Sequence, residues 1–305
     1  MKEPARALFF RGMLMTSQII PNFEALVDRK KLTLPNNAKL AVWIILNVEN
    51  WSIERAMPRT VLPPPMGKPL IPDIPNWSWH EYGMRAGFWR QHKALQERLL
   101  PVTFAINGSV CEKYSKVAEA ALHAGWEFMG HGFEQRPMHS LENEEDAIIK
   151  TINSIEAFSG TRPVSWESPG LTETSKTPHL LRKHGITNIA DWVIDDLPFN
   201  VETDFGTVTT IPYTVEMNDI AIYALQNHSS EEILYRGKLQ FDRLYSEGEE
   251  NARIMAISIH PYITGVPHRI AALEALLDYI IAHDDVEWMT AKEIGDWFNN
   301  QHNNL

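Results

Sequence analysis

Seven successive apolar residues, 40–46 (Leu-Ala-Val-Trp-Ile-Ile-Leu), restrict the fold of this chain most strongly. A strand with one wet face alternates apolar and polar side chains, whereas this run predicts a strand that is covered on both faces. Further strands are predicted at 101–106, 126–129, 164–166, 188–192, 208–213, 254–259 and 286–289. Helical patterns lie between them at 81–99, 109–124, 142–159, 177–184, 267–282 and 291–298. This alternation predicts an α/β fold with a parallel barrel.

Composition limits the partners that the chain can have. The chain has 305 residues, enough for one domain with a full core, and a net charge of −11. An acidic surface argues against nucleic acid and against an anionic membrane, so we expect a small-molecule substrate. The single cysteine, Cys111, excludes an intramolecular disulfide and a cysteine-based zinc cluster, and we interpret it as a buried structural residue.

The amino terminus carries a short apolar stretch, residues 7–15, which Arg11 interrupts. It has no small-residue cleavage pattern, so we do not interpret it as a signal peptide. We interpret 1–20 as an amino-terminal extension and a candidate for disorder, and 21–305 as a single barrel domain. The expected location is the cytoplasm.

A loop rich in functional groups follows the predicted strand 126–129. Its sequence, Gly-His-Gly-Phe-Glu-Gln-Arg-Pro-Met-His over 130–139, places His131 directly after the strand. A metal-binding His-x3-His motif would need a second histidine four residues later, where the chain has Gln135. This one residue separates a metal-dependent mechanism from a metal-free one.

Polar side chains also follow other predicted strands. Glu49 comes just after the apolar run, Asp195 and Asp196 follow 188–192, and His260 follows 254–259. In a parallel barrel these ends share one face, where carboxylates and imidazoles can perform acid–base chemistry on a carbonyl. We favour functional roles for Glu49 and His131. Structural alternatives stay open for the others. His260 could instead bond a buried backbone group, and the two aspartates could instead cap a turn.

Several segments together resemble one family. They are the string Glu-Tyr-Gly-Met-Arg-Ala-Gly-Phe-Trp-Arg at 81–90, Ile-Pro-Tyr-Thr at 211–214, Asn-Asp at 218–219 and Asp-Asp-Leu-Pro at 195–198. Over residues 40–297 the chain resembles the cofactor-independent allantoinase branch of the polysaccharide deacetylase superfamily. The resemblance implies a distorted (β/α) barrel of the polysaccharide deacetylase type. It also implies a homo-oligomer, and the allantoinase-like relatives suggest a tetramer.

The resemblance further implies roles for individual residues. Metal-dependent members carry a base, a metal carboxylate, two histidine ligands and a late acid histidine; the corresponding residues here are Asn47, Glu49, His131, Gln135 and His260. Asn47 and Gln135 depart from the metal-dependent pattern, as the allantoinase-like branch does. Glu49, His131 and a neutral Gln135 would make a weak zinc site. We therefore expect neither a metal nor another cofactor.

These observations predict a hydrolase of C–N bonds in a small cyclic amide, imide or ureide. Glu49 assists the attacking water, and His131 or His260 stabilises the oxyanion or protonates the leaving nitrogen. The expected substrate contacts are Asn47, Gln135, Arg136, Trp166, Glu167 and Asn218, and the proline-rich segment 58–75 is expected to close over the site. A metal-dependent deacetylase of an N-acetylated sugar is the alternative. A barrel that binds a ligand without turnover is a third possibility.

Overall fold

The structure is a computed structural model that describes residues 21–303. The predicted extension 1–20 lies outside the described residues. Within 21–303, no helix is both long enough and apolar enough to cross a membrane.

The described chain contains nine strands and nine α-helices. The strands are β1 Leu40–Val48, β2 Thr103–Ile106, β3 Glu127–Gly130, β4 Ser165–Trp166, β5 Asn188–Ile189, β6 Phe199–Thr203, β7 Gly206–Thr210, β8 Arg253–Ile259 and β9 Val286–Trp288. The helices are α1 Ile74–Tyr82, α2 Phe88–Gln96, α3 Val110–Lys113, α4 Ser115–His123, α5 Glu144–Ser159, α6 Thr177–Lys183, α7 Glu232–Glu247, α8 Pro267–Ile281 and α9 Ala291–Asn303.

The strands form one curled sheet in the order β6-β7-β5-β4-β3-β2-β1-β8, and β9 pairs with the start of β1. Every pairing is parallel except the β6–β7 hairpin. Irregular segments extend the hydrogen bonding of the sheet beyond β8. The N–H groups of Ile254 and Ser258 donate to the carbonyls of Asp196 and Met217 in these segments. A curled mixed sheet flanked by helices confirms the predicted distorted (β/α) barrel.

Strand β1 pairs with β2, β8 and β9, and all nine of its residues are buried. Its side chains divide alternately between two apolar clusters: Leu40, Val42 and Ile44 lie in one, and Trp43 and Ile45 lie in the other. Burial on both faces is what the uninterrupted apolar run predicts.

The helix predicted at 81–99 is longer at its start and irregular in its middle. It begins at Ile74, where Asp73 accepts the N–H of Asn76 as an N-cap, and one π-turn at Gly83–Gly87 joins α1 to α2. The π-turn presses against the loop after β8: a Cβ on Gly87 would lie 2.0 Å from the carbonyl oxygen of Pro261. Only glycine permits this approach, which brings the helix beside His260.

Two elements are absent from the predictions made from the sequence. Helix α7 places Ile233, Gly237, Phe241 and Leu244 at helical spacing on one buried face, so its amphipathic pattern is present in the sequence although the predicted helices do not include it. Strand β6 buries only Val201 and forms the outer strand of a hairpin with β7. A strand with so weak an apolar pattern forms only through tertiary pairing.

A substitution at Gly130, the last residue of β3, tests how closely the strand ends are packed. A Cβ there would lie 2.6 Å from Cε3 of Trp166, which is fully buried. We expect Gly130→Ala to lower the free energy of unfolding by about 1–3 kcal/mol, the usual cost of overpacking a core. Chemical denaturation measures this change. An unfolding free energy equal to that of the wild type would contradict the tight contact.

Candidate active site

The carboxyl ends of five parallel strands converge at one edge of the barrel. Glu49 follows β1, Asn107 follows β2, His131 follows β3, Glu167 follows β4, and His260 follows β8. All five side chains are buried. The shared direction of the strands therefore brings residues far apart in sequence to one place.

A cavity of about 220 Å³ lies at this edge. Six of the residues predicted for the site line it: Glu49, His131, Gln135, Glu167, Asn218 and His260. The cavity lining also includes Arg59 and Tyr213, which were not predicted. Arg59 comes from the proline-rich loop, and its sequence neighbours carry no motif that would have indicated a role.

Three other predicted substrate contacts lie outside the lining of this cavity. Asn47 is fully buried and donates to Ser258 Oγ at 2.8 Å. Arg136 lines a neighbouring cavity and donates to the carbonyl of Ser140. Trp166 is fully buried and donates to Ser168 Oγ at 3.1 Å. Their contact with a substrate stays a prediction.

Glu49 is a buried carboxyl group with several polar neighbours. Its Oε2 accepts a hydrogen bond from Trp51 Nε1 at 2.5 Å and from the Tyr262 hydroxyl at 3.4 Å. Burial raises the pKa of Glu49, and the nearby His260 and the Trp51 N–H act in the opposite direction. A buried carboxyl with a raised pKa and a partly satisfied charge is suited to accept a proton near neutral pH.

His260 is held between two carboxyl groups. Its Nδ1 lies 2.7 Å from Asp219 Oδ1, and its Nε2 lies 3.6 Å from Glu49 Oε1. Asp219 Oδ2 also accepts the backbone N–H of His260 at 2.7 Å and the Thr264 hydroxyl at 2.5 Å. Asp219 therefore fixes the direction of the ring and turns Nε2 toward Glu49. The sequence pointed to Asn218-Asp219 only as part of the resemblance, without a role for Asp219.

His131 is oriented by a backbone carbonyl. Its Nδ1 lies 2.8 Å from the carbonyl oxygen of Glu167, which can only accept, so Nδ1 carries the proton. Within the described residues its Nε2 is buried and has no hydrogen-bond partner. Burial lowers the pKa of His131 to about 4. The imidazole is thus neutral and offers a lone pair at Nε2.

The orientation of Gln135 follows from a chain of donors and acceptors. The backbone N–H of Asn50 can only donate, and it bonds to Asn107 Oδ1 at 2.7 Å. The Asn107 amide nitrogen must then donate, and it does so to the His131 carbonyl and to Gln135 Oε1, the latter at 3.2 Å. With its oxygen engaged, Gln135 retains its NH₂ group as the free donor of the side chain.

Glu167 presents a second buried carboxyl group to the cavity. Its side chain is about 5% exposed, and within the described residues its Oε2 has no hydrogen-bond partner. Burial, followed by the negative charges of Asp191 and Glu49, raises the pKa of Glu167 well above its ordinary value. Two neighbouring carboxyl groups that cannot both ionise divide into one acid and one base.

The donor set does not suit the divalent metal of the metal-dependent relatives. Glu49 and His131 Nε2 could each supply a lone pair, but the oxygen of Gln135 is turned to Asn107. Among residues 21–303, no group of three or more histidine, cysteine, aspartate or glutamate side chains is arranged to hold a metal ion. A catalytic zinc usually has three protein ligands, so this set is incomplete.

Two other sequence candidates lie away from the cavity lining. Asp195 accepts the N–H of Leu197 at 3.0 Å and forms an ion pair with Arg29. This geometry favours the structural alternative for that aspartate. Cys111 is buried, and burial raises the pKa of its thiol to about 11, in agreement with its interpretation as a structural residue.

Comparison with known proteins adds a family context to this geometry. A family model described as Polysaccharide deacetylase matches residues 79–189. A Schizosaccharomyces pombe protein, provisionally named a polysaccharide deacetylase, is 27% identical over 298 residues, which cover 88% of this chain and 92% of that protein.

Two solved structures extend the similarity to nearly the whole chain. A probable polysaccharide deacetylase from Pseudomonas aeruginosa PAO1 has a TM-score of 0.82 and 26% identity, covering 90% of this chain and 96% of that one. Puue allantoinase has a TM-score of 0.83 and 24% identity, covering 93% and 99%, which shows a shared fold. The chain is therefore similar to polysaccharide deacetylases in sequence over residues 79–189 and in fold over nearly its whole length. The allantoinase-like branch stays a prediction.

The state of His131 can be measured directly. Because its folded-state pKa of about 4 lies below the unfolded value of about 6.5, protonation favours unfolding. The contribution of this ring to stability is complete above pH 6.5 and is lost as pH falls toward 4. We expect its NMR signals to stay those of the Nδ1–H tautomer from pH 8 to pH 5, with free imidazole in the sample as the reference. Titration of His131 alongside the imidazole would contradict this assignment.

Proposed function

We propose that this chain, for which the comparisons support the polysaccharide deacetylase superfamily, hydrolyses a C–N bond in a small cyclic amide, imide or ureide without an essential metal. The observation that carries the proposal is the orientation of Gln135. At the position where a metal-dependent relative needs a lone pair, this side chain offers an N–H donor. Such a donor suits a substrate carbonyl and not a cation.

The size of the cavity favours a single ring over a polymer. Pockets for drug-sized ligands usually have volumes of about 300–1,000 Å³. The cavity here has about 220 Å³ and receives Arg59 from the proline-rich loop. Both features suit a compact substrate that lies beneath the loop.

The hydrogen-bonding groups of the cavity match the edge of a ring amide. His131 Nε2 is a neutral acceptor for a ring N–H, and the Gln135 amide is a donor for a ring carbonyl. Glu167, when protonated, adds another donor. A planar imide or ureide offers N–H and C=O groups side by side, which pair with such a set.

The reaction then needs a base and an acid. In the proposed mechanism Glu49 accepts a proton from water as the water oxygen bonds to the ring carbonyl carbon. The C–N bond breaks when the tetrahedral intermediate collapses, and the leaving nitrogen receives a proton from His260. Asp219 holds the ring of His260 through Nδ1, as a buried carboxylate orients a catalytic histidine. His131 has a bare Nε2 and a low pKa, so its role is to accept the ring N–H.

Deacetylation of an N-acetylated sugar is the second candidate. The names of the Schizosaccharomyces pombe and Pseudomonas aeruginosa relatives favour it. The incomplete metal donor set favours the cyclic amide. A cytoplasmic homo-oligomer belongs to the same proposal, on the resemblance alone.

A substrate panel tests the proposal. We expect ring opening of at least one member of a set containing hydantoin, dihydropyrimidine, succinimide-type imides and allantoin, with chitooligosaccharides unchanged. Glu49→Gln should lower kcat by about 10²–10⁴-fold, the usual contribution of acid–base catalysis. Glu127→Gln is the matched control, because Glu127 is a half-buried carboxyl that also has a raised pKa but lies at the other end of β3. Turnover of the oligosaccharides alone would reject the proposal in favour of the deacetylase.

Activity should also survive chelation. After treatment of the pure protein with a strong chelator, we expect ring-opening rates within about twofold of the untreated protein, because the residues of the site do not form a complete metal donor set. Complete loss of activity that added zinc restores would show that a metal is required.

A further inference from the structure

Arg59 introduces a permanent positive charge into a cavity otherwise lined by carboxyl, imidazole, amide, phenol and apolar groups. Among the described residues that line the cavity, it is the only lysine or arginine. Its Nε is buried and has no hydrogen-bond partner within the described part of the chain. A buried guanidinium N–H without an acceptor is costly unless a ligand supplies one.

The position of Arg59 is set by the start of helix α1. Asn76 Oδ1 accepts the backbone N–H groups of Val61 at 2.8 Å and Leu62 at 3.0 Å, and its Nδ2 donates to the Leu62 carbonyl at 3.0 Å. Asp73 accepts from the same Nδ2 at 2.8 Å. The helix therefore holds the loop two residues beyond Arg59, so the guanidinium is delivered to the cavity by a fixed backbone.

Arg59 lines the same cavity as the proposed base, Glu49. Its positive charge opposes the burial that raises the pKa of Glu49, and it acts on the pKa of Tyr262 both through its charge and through a side-chain hydrogen bond with the phenol. The Tyr262 hydroxyl in turn lies 3.4 Å from Glu49 Oε2. A cation next to the base is close to the carbon that the base-activated water attacks.

Resting on the proposed function, we infer that Arg59 binds the oxygen of the scissile carbonyl and then the carboxylate that ring opening produces. When the water oxygen bonds to the carbonyl carbon, the electron pair of the C=O bond moves to the carbonyl oxygen. When the C–N bond breaks, the nitrogen takes a proton and the new carboxylic acid ionises. The negative charge appears on the same oxygen atoms in both steps, and the guanidinium fork can bind a carboxylate through two N–H groups.

This inference distinguishes Arg59 from an arginine that only packs the loop. A packing role would depend on the aliphatic part of the side chain, which methionine retains. A binding role depends on the charge and on the fork geometry, which methionine lacks and lysine keeps only in part.

The experiment measures binding of ring-opened products by calorimetry. The probes are N-carbamoylglycine and succinamate, each compared with its neutral amide. We expect Arg59→Met to weaken binding of the carboxylates about 10- to 100-fold, the loss that follows removal of a charge-assisted hydrogen bond, and to leave the neutral amides unchanged. The carboxylate affinity of Arg59→Lys should lie between that of Arg59→Met and that of the wild type.

Arg55→Met is the matched control. Arg55 lies on the same loop, pairs with Glu134 at 3.0 Å and lines the neighbouring cavity. The Arg55→Met variant should bind the carboxylates as tightly as the wild type does. Thermal melts of all the variants should coincide with that of the wild type.

The outcomes separate this inference from the proposed function. Equal carboxylate binding by wild type and Arg59→Met, an equal loss in Arg55→Met, or no binding of either carboxylate to the wild type would overturn the role of Arg59. Ring opening by the wild type with an unchanged kcat in Arg59→Met would also overturn it and leave the proposed function intact. Carboxylate binding that depends on Arg59, without turnover of any ring, would support the role of Arg59 and reject the proposed reaction.

Discussion

The side chain of Asn107 holds the candidate site together. It accepts the backbone N–H of Asn50 and donates to the carbonyl of His131 and to Gln135 Oε1. These bonds join the loops after β1, β2 and β3. Because the Asn50 N–H can only donate and the His131 carbonyl can only accept, the Asn107 amide has one satisfactory orientation, and the orientation of Gln135 depends on it.

Burial then gives the titratable groups different states. Glu49 and Glu167 line one cavity, and each raises the cost of ionising the other. Glu49 has the Trp51 N–H, His260 and Arg59 to support its charge, whereas Asp191 adds a negative charge near Glu167. One carboxyl is therefore suited to act as a base and the other as a neutral donor. His131, kept neutral by burial, completes a set of alternating donors and acceptors.

The names of the relatives favour a deacetylase, whereas the geometry of the site favours the hydrolysis of a cyclic amide. The similarity in fold to a probable polysaccharide deacetylase extends over 90% of this chain, and the sheet brings the carboxyl ends of β1, β2, β3, β4 and β8 together. A fold of this kind hosts more than one reaction, so the reaction depends on the side chains at those ends. Here those ends carry hydrogen-bonding groups and two buried carboxyl groups, and residues 21–303 contain no group of three or more histidine, cysteine, aspartate or glutamate side chains arranged to hold a metal ion.

Much of the fold followed from the sequence because the strands are unusually apolar. The run at 40–46, the strand–helix alternation and the polar residues after the strands were sufficient to predict a barrel and to place Glu49, His131 and His260 at one edge. Strand β6 could not be predicted, since its apolar pattern is weak and packing decides its structure, whereas helix α7 carries a helical apolar pattern that the predicted elements do not include. The start of α1 at Ile74 was missed because Pro75 belongs by composition to the proline-rich loop, although it stands in the first helical turn, where proline is favourable.

The details of the site were decided by tertiary structure alone. The sequence identified Gln135 as the departure from a histidine, but its donor direction depends on Asn107, 28 residues away. The role of Asp219 depends on its approach to His260 across 41 residues, and Arg59 enters the cavity only because Asn76 holds its loop. Local sequence determines which groups are present and which backbone elements carry them. Hydrogen-bond direction and charge state depend on burial and on partners from other strands, so only the folded chain decides them.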